Sequence, residues 1–146
     1  MSRTRTTTVY GIQNETEFKE LAARLARQMR APLILLLNGP MGAGKTLWVR
    51  STVETLGGKW VSSPSFAVIQ RYAVDHGTID HVDLFRLKND RDLESTGFWD
   101  LLDDRKTMIF VEWADRLPQD VWPPTFNLWS VSIEIKGAGR VVTVTS

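Results

Sequence analysis

Residues 33–46 read Leu33-Ile34-Leu35-Leu36-Leu37-Asn38-Gly39-Pro40-Met41-Gly42-Ala43-Gly44-Lys45-Thr46. From Gly39 to Thr46 this is a complete G-x-x-x-x-G-K-T phosphate loop. The apolar run Leu33–Leu37 precedes it and the helix-compatible stretch Leu47–Leu56 follows it. Strand, Gly-rich turn and helix in that order are the context the motif requires. The glycines let the backbone curl so that several N–H groups face one phosphate chain. The helix N-terminus adds its partial positive charge. Gly39, Pro40, Met41, Gly42, Ala43, Gly44 and Leu47 are thus candidate nucleotide contacts. Lys45 is expected to reach the β/γ-phosphates and the Thr46 hydroxyl to ligate Mg²⁺. The bland alternative is a Gly-rich strand-to-helix turn with an exposed lysine. The four fixed positions arise by chance in roughly one chain of this length in a few hundred, and the correct flanks lower that further.

The rest of the composition narrows the class. A chain of 146 residues points to one domain spanning 1–146. Hydrophobic content of 42% and charged content of 24% suit a globular protein with a real core. Cysteine is absent, which removes disulfides, thiol catalysis and Cys-zinc sites. His76 and His81 are too few for a His-rich metal site. A formal net charge of +1 gives no argument for nucleic acid by itself. No run approaches a membrane span, and residues 1–8 lack the apolar core of a signal peptide. The expected location is the cytoplasm.

Outward from the loop, the chain alternates strand and helix signals. Residues 6–10 suggest an edge strand. Asn14 or Thr16 can cap a helix on which Phe18, Leu21, Leu25 and Met29 recur at helical spacing, with Pro32 ending it. Leu33–Leu37 reads as a buried parallel strand. The following helix is expected to bury Leu47, Val49, Val53 and Leu56, and Gly57-Gly58 to stop it. Phe66–Val74 and Ile79–Phe85 read as a hairpin around Asp75-His76-Gly77. Residues 90–103 look helical with a break at Gly97. Met108–Val111 is a short strand. Pro118, Pro123 and Pro124 mark an irregular crossing, and Leu128–Ile135 and Val141–Val144 form a hairpin turning at Lys136–Gly139. The fold class is therefore α/β: a P-loop domain with a mostly parallel central sheet, flanking helices and an antiparallel extension.

A phosphate loop needs a second carboxylate, normally at the end of a neighbouring apolar strand, to hold Mg²⁺ or orient water. Glu112 ends Met108-Ile109-Phe110-Val111 and is the natural candidate. Asp83 is the second. Alternation puts it on one strand face with His81 and Phe85, opposite Val82 and Leu84, where it is either a site residue or a half-exposed strand acid. Ser63 and Ser65 flank Pro64 where switch proteins sense the terminal phosphate, although Ser and Pro are also ordinary turn residues. Trp113 follows Glu112 and could pack near the nucleotide. Trp60, Trp99, Trp122 and Trp129 suit a core or partner-facing role. Arg71, Arg86, Arg91, Arg105 and Arg116 read as solvated charges.

Taken together, five segments resemble the TsaE (YjeE) family, small P-loop ATPases of bacterial tRNA threonylcarbamoyladenosine synthesis. They are Asn38–Thr46, Ser63-Pro64-Ser65-Phe66, His81-Val82-Asp83-Leu84-Phe85-Arg86-Leu87, Asp92-Leu93-Glu94 with Gly97, and Val111-Glu112-Trp113. They stand in family order over roughly residues 10–118. The resemblance implies a switch beside the γ-phosphate at Ser63 and Ser65, with Ser65 in place of the family's Thr. It implies a catalytic or metal-orienting acid at Asp83, followed by Phe85 in place of Tyr. It implies a Mg²⁺ ligand at Glu112 and a nucleotide neighbour at Trp113, with Ala114 where the family has Pro. Arg140 corresponds to an arginine of the family's C-terminal hairpin turn, a further candidate for nucleotide binding.

The resemblance also implies ATP and Mg²⁺ as cofactors and TsaB and TsaD as partners, with tRNA reached through that complex. TsaD would transfer the threonylcarbamoyl group, and this chain would hydrolyse ATP to reset the assembly. The catalytic set would be Lys45, Asp83 and Glu112, with Thr46 and Glu112 on the metal. A small-molecule kinase is the competing reading. It would need an arginine-bearing lid, whereas residues 114–146 read as a crossing and a hairpin. A GTP switch would need Asn-Lys-x-Asp, and Lys88-Asn89-Asp90 has the wrong order.

Overall fold

In the computed structural model, which describes residues 5–60, 69–85, 94 and 96–146, the chain forms one seven-stranded sheet flanked by helices. The elements are β1 (Thr7–Ile12), α1 (Glu15–Ala26), β2 (Leu33–Asn38), α2 (Lys45–Thr55), β3 (Ile69–Val74), β4 (Gly77–Asp83), α3 (Phe98–Leu101), β5 (Thr107–Glu112), a 3-10 turn (Ala114–Arg116), β6 (Asn127–Lys136) and β7 (Gly139–Thr145). The strand order is β1-β7-β6-β2-β5-β4-β3. Strands β6, β2, β5 and β4 are mutually parallel. Hairpin partners extend them antiparallel at both edges: β7 and then β1 beyond β6, and β3 beyond β4. The expected α/β sheet with an antiparallel extension is what the chain adopts, with an extension on each side.

Strand β2 sits at the centre, and Leu33–Leu37 is at most 7% exposed throughout, because both sheet faces are covered. Leu33, Leu35 and Leu37 face α1 and α2 together with Phe110, Val131 and Ile133. Ile34 and Leu36 face α3 and the 115–126 crossing, with Val82, Leu84, Phe98 and Phe126. Helix α1 starts where Asn14 Oδ1 accepts from Glu17 N at 2.9 Å, the side-chain cap that replaces a missing helical partner. It ends at Ala26, earlier than Pro32, and Phe18, Leu21, Leu25 and Met29 are all buried as the spacing predicts.

Helix α2 meets the expected pattern at Val49 and Val53 and departs from it at Leu47 and Leu56. Its buried apolar face is Trp48, Val49 and Val53, while Leu47 and Leu56 are half-buried. Trp48 packs edge-on against Phe18 of α1, with ring centroids 5.5 Å apart. Arg71 is not a free surface charge. It grips the fully buried Asp80 through two bonds of 2.7 and 3.0 Å, and Thr107 Oγ1 donates to the same carboxylate at 2.6 Å. The β3–β4 hairpin turns at Asp75-His76, and the helix after Gly97 is confined to α3. Beyond β5 the described chain is the 3-10 turn, the crossing that the prolines predict and the β6–β7 hairpin that the alternation predicts. Among the described residues no helix is long and apolar enough to cross a membrane.

Candidate functional site

The phosphate loop joins the C-terminal end of β2 to α2, and Lys45 is the first helical residue. Gly44 stands at φ 116°, a left-handed conformation at the helix N-cap. The Lys45 side chain is buried under the loop. Its Nζ donates to Gly39 O and lies 3.6 Å from the centre of the Trp113 ring. Burial lowers the Lys45 pKa from its ordinary value, while Glu112, Asp83 and Asp115 pull it back up.

Glu112 ends β5 and is 3% exposed. Its Oε2 accepts from Thr46 Oγ1 at 3.1 Å, so the loop threonine and the strand-end acid meet beneath the loop. The parallel β4–β5 register places Asp83 beside Glu112. Asp83 Oδ1 accepts from Phe85 N at 2.9 Å. Desolvation raises the Asp83 pKa, the Phe85 hydrogen bond opposes that, and the neighbouring Glu112 charge adds to the rise.

Trp113 takes φ 61°, which turns the chain sharply off the strand and lays the indole against Lys45. Phe85 packs on it with centroids 5.0 Å apart, and the Arg116 guanidinium stands 5.6 Å from the Phe85 ring. A cleft of about 320 Å³ opens between these groups, lined by Met41, Gly42, Gly44, Lys45, Thr46, Leu47, Asp83, Phe85, Glu112 and Trp113. A second cleft of about 280 Å³ adjoins the same loop, between Ile12, Asn14, Phe18, Leu47 and Arg140. Pro40 lines a third hollow with Gly39, Lys45 and Trp113. Arg140 clasps the loop from its outer side: Nε donates to Ala43 O at 2.9 Å and Nη2 to Gly42 O at 3.3 Å.

The structure thus brings Lys45, Thr46, Asp83, Glu112 and Trp113 to one cleft and sets Arg140 against the loop's carbonyls. Ser63 and Ser65 lie outside the described residues. One neighbour escaped the sequence reading: His81, fully buried, bonds through Nε2 to Glu112 Oε2. Its placement on the Asp83 face was the available signal, but alternation does not say which side chains span two strands.

The donors beneath the loop are hard oxygens. Among the described residues no three His, Cys, Asp or Glu side chains gather into a metal cage. A hydroxyl and one or two carboxylates facing an anion-binding loop suit Mg²⁺, which keeps waters and takes its remaining ligands from phosphate.

Fold and site together define a P-loop nucleotide-binding protein. The family model described as "Threonylcarbamoyl adenosine biosynthesis protein TsaE" matches residues 12–142. The chain is 35% identical over 126 residues to the tRNA threonylcarbamoyladenosine biosynthesis protein TsaE of Rickettsia felis, spanning 85% of this chain and 71% of the relative. It is 31% identical to that of Borreliella burgdorferi, spanning 75% and 78%. The crystal structure of Bacillus subtilis YdiB superposes with a TM-score of 0.71 over 99% of this chain and 88% of YdiB at 23% identity, a likeness of fold. The chain belongs to the TsaE family.

Proposed function

We propose that this chain binds ATP with Mg²⁺ and hydrolyses it, serving as the nucleotide switch of the bacterial tRNA threonylcarbamoyladenosine machinery beside TsaB- and TsaD-type subunits. The observation that carries this reading is the contact of Thr46 with Glu112 beneath the loop, with Asp83 next to it in register. Loop N–H groups and Lys45 bind the phosphates. Lys45 is suited to this because its buried ammonium sits beside Trp113 rather than in water, and an unhydrated cation pulls harder on an incoming anion.

Thr46 and Glu112 would hold Mg²⁺, which when bound neutralises charge on the transferring phosphoryl group. Asp83, whose proton affinity burial has raised, would orient the attacking water and receive its proton. Ser63 and Ser65 take the γ-phosphate-sensing role by family resemblance. The cleft between Asn14, Leu47 and Arg140 is space for the nucleoside. Catalysis of this kind is positioning plus fixed charge, and a site assembled from one loop and two acids should turn over slowly until a partner orders it.

Two variants test the reading. Lys45→Ala and Glu112→Ala should abolish hydrolysis with the circular dichroism spectrum intact. Addition of purified TsaB and TsaD should raise the rate of the unsubstituted chain. Full ATPase activity in either variant, or no response to the subunits, would defeat the assignment.

A further inference from the structure

His81 occupies the middle of β4 with no solvent exposure. It lies on the strand face that carries Asp83, and its ring reaches diagonally across the β4–β5 pairing to Glu112. Oε2 of Glu112 accepts from Thr46, and a carboxylate oxygen is an acceptor, so Nε2 of His81 is assigned as the donor in their shared hydrogen bond. The other oxygen, Oε1, has a longer Thr46 contact of 3.5 Å. The imidazole is held by aromatics: Trp60 lies 6.2 Å away and is itself stacked on Tyr72 at 5.2 Å. Nδ1 is buried with no hydrogen-bond partner among the described residues. Its described hydrogen bonding goes to the carboxylate under the phosphate loop.

We propose that His81 is a positioning residue that ties down Oε2 of Glu112 and leaves Oε1 turned to the divalent cation shared with Thr46. The inference rests on the reading of Glu112 as a metal-holding residue and adds the group that fixes it. A buried glutamate has three side-chain torsions and two oxygens of equal appetite. Without a donor on Oε2 it is free to swing toward Lys45, whose charge already interacts with it. The phosphate-binding lysine would then be neutralised and the cation would lose its ligand.

The probe is Mn²⁺, titrated by electron paramagnetic resonance with saturating ADP. The set is the full chain and its His81→Phe, His81→Asn and His81→Gln variants, each checked for a cooperative thermal transition. His81→Phe keeps a ring and removes the donor. The amide of His81→Asn is too short to reach Oε2 and serves if the phenyl ring does not fit. Either should weaken Mn²⁺ binding about 10- to 100-fold while ADP affinity in EDTA stays within about twofold, and His81→Gln should recover most of the loss. Folded donor-less variants that bind Mn²⁺ as tightly as the unsubstituted chain would overturn the proposal. So would an equal loss of metal-free ADP affinity, which marks a merely structural role. Failure of the unsubstituted chain to take up Mn²⁺ with ADP would instead remove the metal reading of Glu112, and this inference with it.

Discussion

Gly44→Ala separates what the loop's shape contributes from what its chemistry contributes. Gly44 stands at φ 116°, and a Cβ there would come within 2.9 Å of the Phe18 ring. Gly42 has φ 82° with nothing within 4 Å of the same added atom. Both substitutions force a side chain into the left-handed region, at about 1–2 kcal/mol. At Gly44 a collision is added. Phe18 cannot withdraw, because it is 3% exposed and packed edge-on against Trp48. Overpacking of that kind costs about 1–3 kcal/mol more. The expected losses are therefore about 1–2 kcal/mol for Gly42→Ala and about 2–5 kcal/mol for Gly44→Ala. At about 2–4 °C per kcal/mol near this chain length, the second should melt about 4–20 °C below the parent. Urea titration followed by tryptophan fluorescence measures both, and the double variant Phe18→Leu/Gly44→Ala should recover part of the excess. Equal destabilisation at the two glycines would refute the reasoning, since it would mean that the Phe18 ring gives way freely.

Two further perturbations test the electrostatics. Burial raises the Asp83 pKa above its ordinary 3.8, so the folded chain holds that proton more tightly than the unfolded one. The resulting stabilisation is complete below the ordinary value and is lost as pH rises through the raised one. Asp83→Asn should therefore raise the melting temperature at neutral pH, with the gain fading as pH falls toward the ordinary carboxyl range, and should halt hydrolysis. No gain at neutral pH would contradict this. Arg71→Ala strands the buried Asp80 carboxylate with the Thr107 hydroxyl. Because Arg71 is itself 49% exposed, the loss should be about 2–3 kcal/mol, below the usual cost of breaking a fully buried pair. Nucleotide affinity should not change, and a tenfold loss would show that the network reaches the site.

The strand–loop–helix unit was legible because several independent signals coincide there: the apolar run, the glycine spacing, and Lys45-Thr46 at the helix start. The hairpins at Asp75-His76 and Gly137-Ala138 were legible from turn residues and alternation. Burial on α2 was legible in part: Val49 and Val53 are buried as the spacing predicts, whereas Leu47 and Leu56 are only half-buried. Periodicity selected leucines at 47 and 56, but the helix is rotated so that Trp48 meets Phe18, a contact set by where α1 lies on the sheet. Arg71 likewise carries no local sign of its role, since nothing near it in sequence says that Asp80, nine residues on, is buried on the neighbouring strand and needs a cation. His81 escaped for the same reason. Its partner is on another strand, and only the register between β4 and β5 joins them.

That register is where the site is made. Asp83 pairs with Glu112, His81 with Phe110 and Val82 with Val111. Side chains alternate along a strand, so His81, Asp83 and Glu112 all point to the face that α2 covers, and the helix delivers Lys45 and Thr46 to the same side. A slip of one residue would turn Asp83 and His81 to the opposite face and bring Val82 and Leu84 toward the phosphate loop. What forbids the slip is the other face, where Val82, Leu84, Ile109 and Val111 are each fully buried with Phe98 and Phe126. Exposing two of those four side chains would cost several kcal/mol, comparable with much of the stability of a domain. The apolar residues behind the sheet, which touch no nucleotide, thus hold the acids in front of it in line. A substitution such as Ile109→Ala is accordingly a means of loosening the Asp83–Glu112 pairing without altering any polar group.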